Sequence, residues 1–166
     1  FFLYAAFTAP HWPLHALEED IAHYEGRYRD GWDVLRASRH EQMKSLGIVE
    51  ERWEISPRDE DAPPWDEVQQ KEWQDMRMAV YAAQVHQMDR AIGRMVAALR
   101  EFGVEENTLL MFLSDNGGCA EFLAEDTNRR EPDRYISRPA EGRSVRVGNI
   151  PGLRPGSADT YMSYDL

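Results

Sequence analysis

Basic charge, cysteine and long apolar runs are what this sequence lacks. Its 166 residues carry 19 Lys and Arg against 30 Asp and Glu, a formal net charge of -11. A nucleic-acid backbone is therefore not the expected partner, because phosphate binding needs a basic footprint. An anionic small substrate stays compatible, since a bound cation reverses the local field. The single cysteine, Cys119, permits no internal disulfide and says little about compartment. No apolar run approaches the ~20 residues that span a bilayer, so no membrane segment is expected. The first residues, Phe1 to Phe7, have neither a basic flank nor a leading methionine and do not read as a signal peptide. The chain reads as a piece of a longer one.

Aromatic residues are plentiful: five Trp, six Phe and seven Tyr supply a core for one domain. The stretch around which the chain is organised is Asn107 to Gly118. Leu109 to Leu113 form a short unbroken apolar block, as in a strand buried on both faces. Asp115 and Asn116 follow its C-terminal end, the edge at which open α/β sheets bind ligands. Gly117 and Gly118 allow a tight turn or a close approach. Two readings stand at this point. Asp-Asn-Gly is an ordinary turn, or its hard oxygens serve a divalent cation.

Phe1 to Phe7 is aromatic and apolar, which predicts a central strand. Pro10 and Pro13 then restrict the backbone around His11 and Trp12. If the two strands are parallel, His11 lies at the same sheet edge as Asp115. A lone histidine is more often structural, but this one is better placed than most for function.

Leu17 to Tyr28 is expected to be partly helical, with Ile21 and Tyr24 inward and an acidic first turn at Glu18, Glu19 and Asp20. Asp30 can cap a second, peripheral helix, with Asp33 in a capping-box position and Gly47 as its stop. Trp32, Leu35, Met43 and Leu46 mark its stripe. Glu50 to Asp66 reads as a surface loop, and its cluster Asp59-Glu60-Asp61 as a solvated charge run rather than a cation site. Glu67 to Phe102 is the clearest helix: Tyr81, Val85, Met88, Ile92, Met95 and Leu99 recur at spacings of 4, 3, 4, 3 and 4. Gln84, His86, Asp89 and Arg90 fall outside that stripe. Gly103 ends the helix. Helix, turn and parallel strand are half of a βαβ unit with a right-handed crossover.

Beyond Gly118 the pattern weakens. Cys119 to Phe122 could begin a short helix. Residues 126–155 are rich in Arg, Pro and Gly and locally basic. Such a stretch either lines a pocket for an anionic group or is a long surface excursion. Ser157 to Leu166 reads as the start of an interrupted element.

Three blocks carry a family likeness: Phe2–Leu14 with its Ala9-Pro10-His11-Trp12-Pro13 end, Tyr81–Arg94, and Asn107–Gly118 with Ser114-Asp115-Asn116-Gly117. With the insertion Tyr24 to Glu50, they resemble the sulfatases, in particular the arylsulfatase type of the alkaline-phosphatase-like superfamily. The likeness covers most of residues 1–122. It implies an α/β fold, a mainly parallel sheet flanked by helices, here incomplete. The whole of 1–166 would be a central fragment of a sulfatase catalytic domain, with a peripheral insertion at about 17–66 and a long loop at about 124–156.

The resemblance also implies roles. Asp115 and Asn116 look like two ligands of the calcium ion of the sulfatase site, with magnesium as the alternative. His11 looks like the histidine that contacts the sulfate group and ester oxygen. The family's nucleophile is a formylglycine made from a Cys/Ser-x-Pro-x-Arg motif, and these residues contain none. Cys119 is followed by Ala120 and Glu121, and Ser137-Arg138-Pro139-Ala140 ends in Glu141. The implied activity is hydrolysis of sulfuric esters, of a small molecule or a sulfated carbohydrate. This chain would be inactive alone and prone to self-association through exposed sheet edges. A periplasmic or secreted location follows from the family only. A phosphoesterase or phosphonate hydrolase of the same superfamily, or a non-catalytic binding module, are the competing readings.

Overall fold

The computed structural model describes residues 1–117, 145–157 and 159–162. It is a mixed α/β structure in which a short parallel sheet lies with three helices: α1 (Glu18–Ala22), α2 (Gly31–Ser45) and α3 (Lys71–Glu101). Strands β1 (Arg146–Val147) and β2 (Thr160–Tyr161) pair in parallel, Arg146 against Thr160 and Val147 against Tyr161. His15 makes an isolated parallel bridge to Gly156. The segment 145–162 thus returns to the residues that follow His11.

Helix α3 is the spine. The core gathers on its N-terminal half: Trp73, Ala79, Val80 and Ala83 pack with Leu14, Ile21 and Met162. Leu14, Ile21 and Met162 are almost wholly buried, and burial of each such side chain contributes about 1.5–3 kcal/mol. The stripe from Tyr81 to Leu99 is only half-buried. The sequence pattern locates the helix but not its most buried face. Polar residues outside the stripe face α1 instead. Gln87 donates to Asp20 at 2.6 Å and Arg90 reaches the same carboxylate at 3.3 Å. Tyr24 Oη lies 2.9 Å from His86 Nδ1.

The expected start of this helix also shifts. A single 3-10 turn occupies Trp65–Glu67, the chain then extends at Val68, and Gln70 adopts φ 57° before α3 begins at Lys71. On α2, Asp30 makes no side-chain cap bond. Asp33 accepts instead from the Trp65 amide (3.1 Å) and from Arg58 (2.8 Å), strapping the 50–66 loop to the helix. The edge-to-face pair Trp32–Trp65, centroids 4.8 Å apart, closes a second small core with Val68. Among the described residues no helix is long and apolar enough to cross a membrane.

Two expectations are corrected. Phe1 to Phe7 and Leu109 to Leu113 are not buried strands. Phe1 is 92% exposed and Leu109 is 83% exposed, and neither segment belongs to a sheet. A strand forms only where a neighbour completes its ladder of N–H and C=O groups, and no described segment pairs with either. The expectations for Gly118, Cys119–Phe122, the basic stretch through residue 144 and the last four residues lie outside the described residues.

Candidate functional site

The corner Thr8–Leu14 presents His11. The His11 amide donates to the Thr8 carbonyl at 2.9 Å, making a turn, and Leu14 N–H donates to the Met162 carbonyl at 2.9 Å. The His11 ring is exposed and packs against Trp12 with centroids 5.1 Å apart. Its Nδ1 lies 2.6 Å from the Trp12 carbonyl oxygen. A carbonyl oxygen has only lone pairs to offer, so Nδ1 carries the hydrogen. Neutral His11 therefore presents Nε2 as an acceptor, and Nε2–H exists only in the imidazolium.

Two further groups hold this corner, a role the sequence did not assign to them. Gln84, buried on α3, directs Nε2 to the Pro13 carbonyl at 3.2 Å and the His11 carbonyl at 3.4 Å. Tyr161 meets Trp12 edge-on, centroids 5.4 Å apart. The available signal for Gln84 is its place outside the apolar stripe of α3, one turn beyond the buried Val80.

Asp115 and Asn116 follow the extended Leu109–Leu113 segment and are exposed. Ser114 Oγ donates to the Asn116 carbonyl at 2.6 Å, so the segment does form the local turn its composition suggests. Asn116 Nδ2 donates to the Gly117 carbonyl at 2.8 Å. That leaves Oδ1 as the amide's ligating atom beside a carboxylate, a donor set suited to a hard cation. Two residues do not complete a calcium shell of six to eight oxygens. Among the described residues no group of three or more His, Cys, Asp or Glu side chains is placed to hold a metal. No hydrogen bond or ion pair joins His11 to Asp115 or Asn116 among the described residues. The acidic cluster at 59–61 is turned in on itself, with the Asp61 amide on Asp59 Oδ1.

Among the described residues of the basic stretch, Arg154 is ion-paired. Its Nη2 lies 2.6 Å from Glu18 and 3.1 Å from Glu25. These carboxylates, through the Glu18 hydrogen bond first, hold its guanidinium above the ordinary arginine range. Arg154 thus ties 145–162 to α1 rather than standing open for an anion.

The Sulfatase family model matches residues 1–141. An uncharacterized sulfatase of Schizosaccharomyces pombe is 44% identical over 120 residues, 70% of this chain and 22% of that protein. An arylsulfatase of Klebsiella aerogenes is 37% identical over 118 residues, 70% of this chain and 25% of that protein. The chain spans about a quarter of the length of these relatives. The match takes in the His11 corner, the whole of α3 and the Asp115–Asn116 turn, and the chain belongs to the sulfatase family of the alkaline-phosphatase-like superfamily.

Proposed function

We propose that this chain is the central part of a sulfuric ester hydrolase of the arylsulfatase kind, and that His11 is its contact to the sulfate ester. The observation that carries this is the bond from His11 Nδ1 to the Trp12 carbonyl. It fixes the ring so that Nε2 is the free edge. As an imidazolium, His11 donates Nε2–H to a sulfate or ester oxygen, opposing the charge that develops on the leaving group. As a neutral ring, it has only a lone pair there and cannot donate.

Asp115 and Asn116 would hold part of a calcium ion, with magnesium as the alternative, their oxygens being of the right kind. Such an ion, when bound, supplies positive charge to a sulfate group. The remaining ligands and the formylglycine nucleophile would come from outside these residues, which contain no Cys/Ser-x-Pro-x-Arg segment. The substrate is a sulfate ester of a small molecule or a carbohydrate.

The test compares 4-nitrophenyl sulfate and 4-nitrophenyl phosphate hydrolysis by the intact protein, its His11→Ala variant and its Asp115→Ala variant. The sulfate ester should be the better substrate. His11→Ala should lower kcat by about 10²–10⁴-fold, as for loss of a proton donor. Calcium bound by the wild type, read by calorimetry, should bind more weakly to Asp115→Ala. A preference for the phosphate ester would sink the sulfatase reading, and unchanged turnover in His11→Ala would remove His11 from it.

A further inference from the structure

We infer that Gln84 is a positioning residue for His11, acting through the Trp12 carbonyl. The inference rests on His11 being the sulfate contact. Gln84 is buried on α3 with 8% of its surface exposed. Its Nε2 donates to two carbonyls, those of Pro13 and His11, at 3.2 and 3.4 Å. Only the NH2 end of a glutamine amide can serve two acceptors, so the orientation of the side chain is settled by chemistry. Oε1 points away, buried and without a hydrogen-bond partner among the described residues. Orphaning a buried acceptor is unfavourable, and the orientation that orphans it is the one that serves the corner.

The carbonyl between the two that Gln84 holds is that of Trp12, and Trp12 O is the acceptor for His11 Nδ1. Holding the His11 and Pro13 carbonyls, one on each side of the Trp12–Pro13 peptide unit, fixes where the Trp12 oxygen points. That oxygen in turn fixes the His11 tautomer and the direction of Nε2. Gln84 never touches the imidazole. It sets which ring nitrogen carries the proton and where the other faces. Pro10 and Pro13 have no N–H, so the corner cannot build a conventional backbone ladder, and a side-chain donor from α3 replaces it.

The experiment reads the His11 tautomer by the 15N shifts of its ring in the full chain, assigned with His11→Gln, at a pH where the ring is neutral. A histidine free in water favours the Nε2–H form, and a hydrogen bond from Nδ1 reverses that preference. Wild type should show Nδ1–H. Gln84→Met keeps the volume and removes the donor, so His11 should shift toward Nε2–H. Gln84→Glu places a carboxylate against two carbonyls and should shift it further. In the intact protein, with the His11 ring protonated, Gln84→Met should lower kcat for 4-nitrophenyl sulfate by about tenfold with KM changed less than about twofold, because an imidazolium no longer held at Nδ1 misdirects its Nε2–H, and a misdirected donor is a transition-state defect. A purely structural role would lower the melting temperature and leave the tautomer as in wild type, and that result overturns the proposal. A wild-type His11 in the Nε2–H form overturns it without any variant. So does rapid exchange of the wild-type Gln84 side-chain amide protons, should neither variant fold. Wild type inactive toward sulfate esters but in the Nδ1–H form, with the shift in Gln84→Met, refutes the hydrolase reading and leaves the clamp standing.

Discussion

Trp12 and Tyr161 meet edge to face, centroids 5.4 Å apart at 82°. They lie far apart in sequence, one beside His11 and the other on β2. The contact places the last described segment against the candidate site, beside the backbone bond from Leu14 to Met162. An edge-to-face pair contributes about 0.5–1.5 kcal/mol beyond its buried area. Tyr161→Leu should lower unfolding stability by about that amount in urea titration and raise hydrogen exchange at the Leu14 amide, with the centre of α2 unchanged.

Asp75 is buried on α3, and its two oxygens accept the Gly26 and Tyr28 amides at 2.8 Å each. It shapes the turn between α1 and α2. Asp75→Ala strands two N–H groups and should cost about 3 kcal/mol in denaturant unfolding. Asp75→Asn retains one acceptor and should lose roughly half of that.

Gly31 opens α2 at φ +84°, and an added Cβ would lie 2.1 Å from Trp65 Cδ2 and Cγ. The Trp65 indole cannot move freely, because Nε1 donates to the Arg29 carbonyl at 3.1 Å and the ring packs on Trp32. Gly31→Ala combines an unfavourable φ with overpacking and should destabilise by about 2 kcal/mol or more. Thermal unfolding followed by Trp fluorescence reads it. A neutral outcome would contradict the close approach of the glycine to Trp65.

The Trp65 amide, and then Arg58, hold the Asp33 carboxyl below its ordinary value of 3.8. A depressed folded value means that the unfolded chain takes up the proton first. The Asp33 contribution is complete above the unfolded pKa and is lost as pH falls through the folded one. Asp33→Asn should therefore remove part of the acid-side fall in stability below about pH 5. Denaturant titrations of both proteins across that range should converge toward the acid end. Parallel curves would show that Asp33 carries no such linkage.

Raised NaCl should leave the Asp75 effect nearly unchanged and weaken Arg154. The pair from Arg154 to Glu18 and Glu25 is exposed, and such pairs contribute about 0–1 kcal/mol. Arg154→Ala should cost no more than that, and less in salt.

Much of the architecture is legible in single residues. Tyr81 to Leu99 marks the long helix because apolar residues at spacings of three and four lie on one side of it. Gly47 and Gly103 end α2 and α3 with positive φ, as their lack of a Cβ allows. The family, too, is carried by local blocks: the Ala9–Pro13 corner, the Tyr81–Arg94 helix segment and the Ser114–Gly117 turn. Where the reading failed, it failed over partners. Asp33 suits a capping box by spacing, yet it serves the Trp65 amide 32 residues away. Phe1 to Phe7 and Leu109 to Leu113 carry the composition of buried strands, but pairing is a property of two segments, and composition describes one.

The sequence by itself determined the helices, their stops and the chemical types at the site: an imidazole between two prolines, and a carboxylate and amide at the end of an apolar run. Local propensity and side-chain chemistry depend on near neighbours, so a linear chain displays them. Only the tertiary structure decided that Gln84 serves the His11 corner, that Tyr161 covers Trp12 and that Arg154 is engaged by Glu18 and Glu25. These are directional contacts across tens of residues. Hydrogen bonds and ring pairs require atoms within a few ångströms at set angles, and that proximity is created by burying Leu14, Ile21 and Met162 against α3.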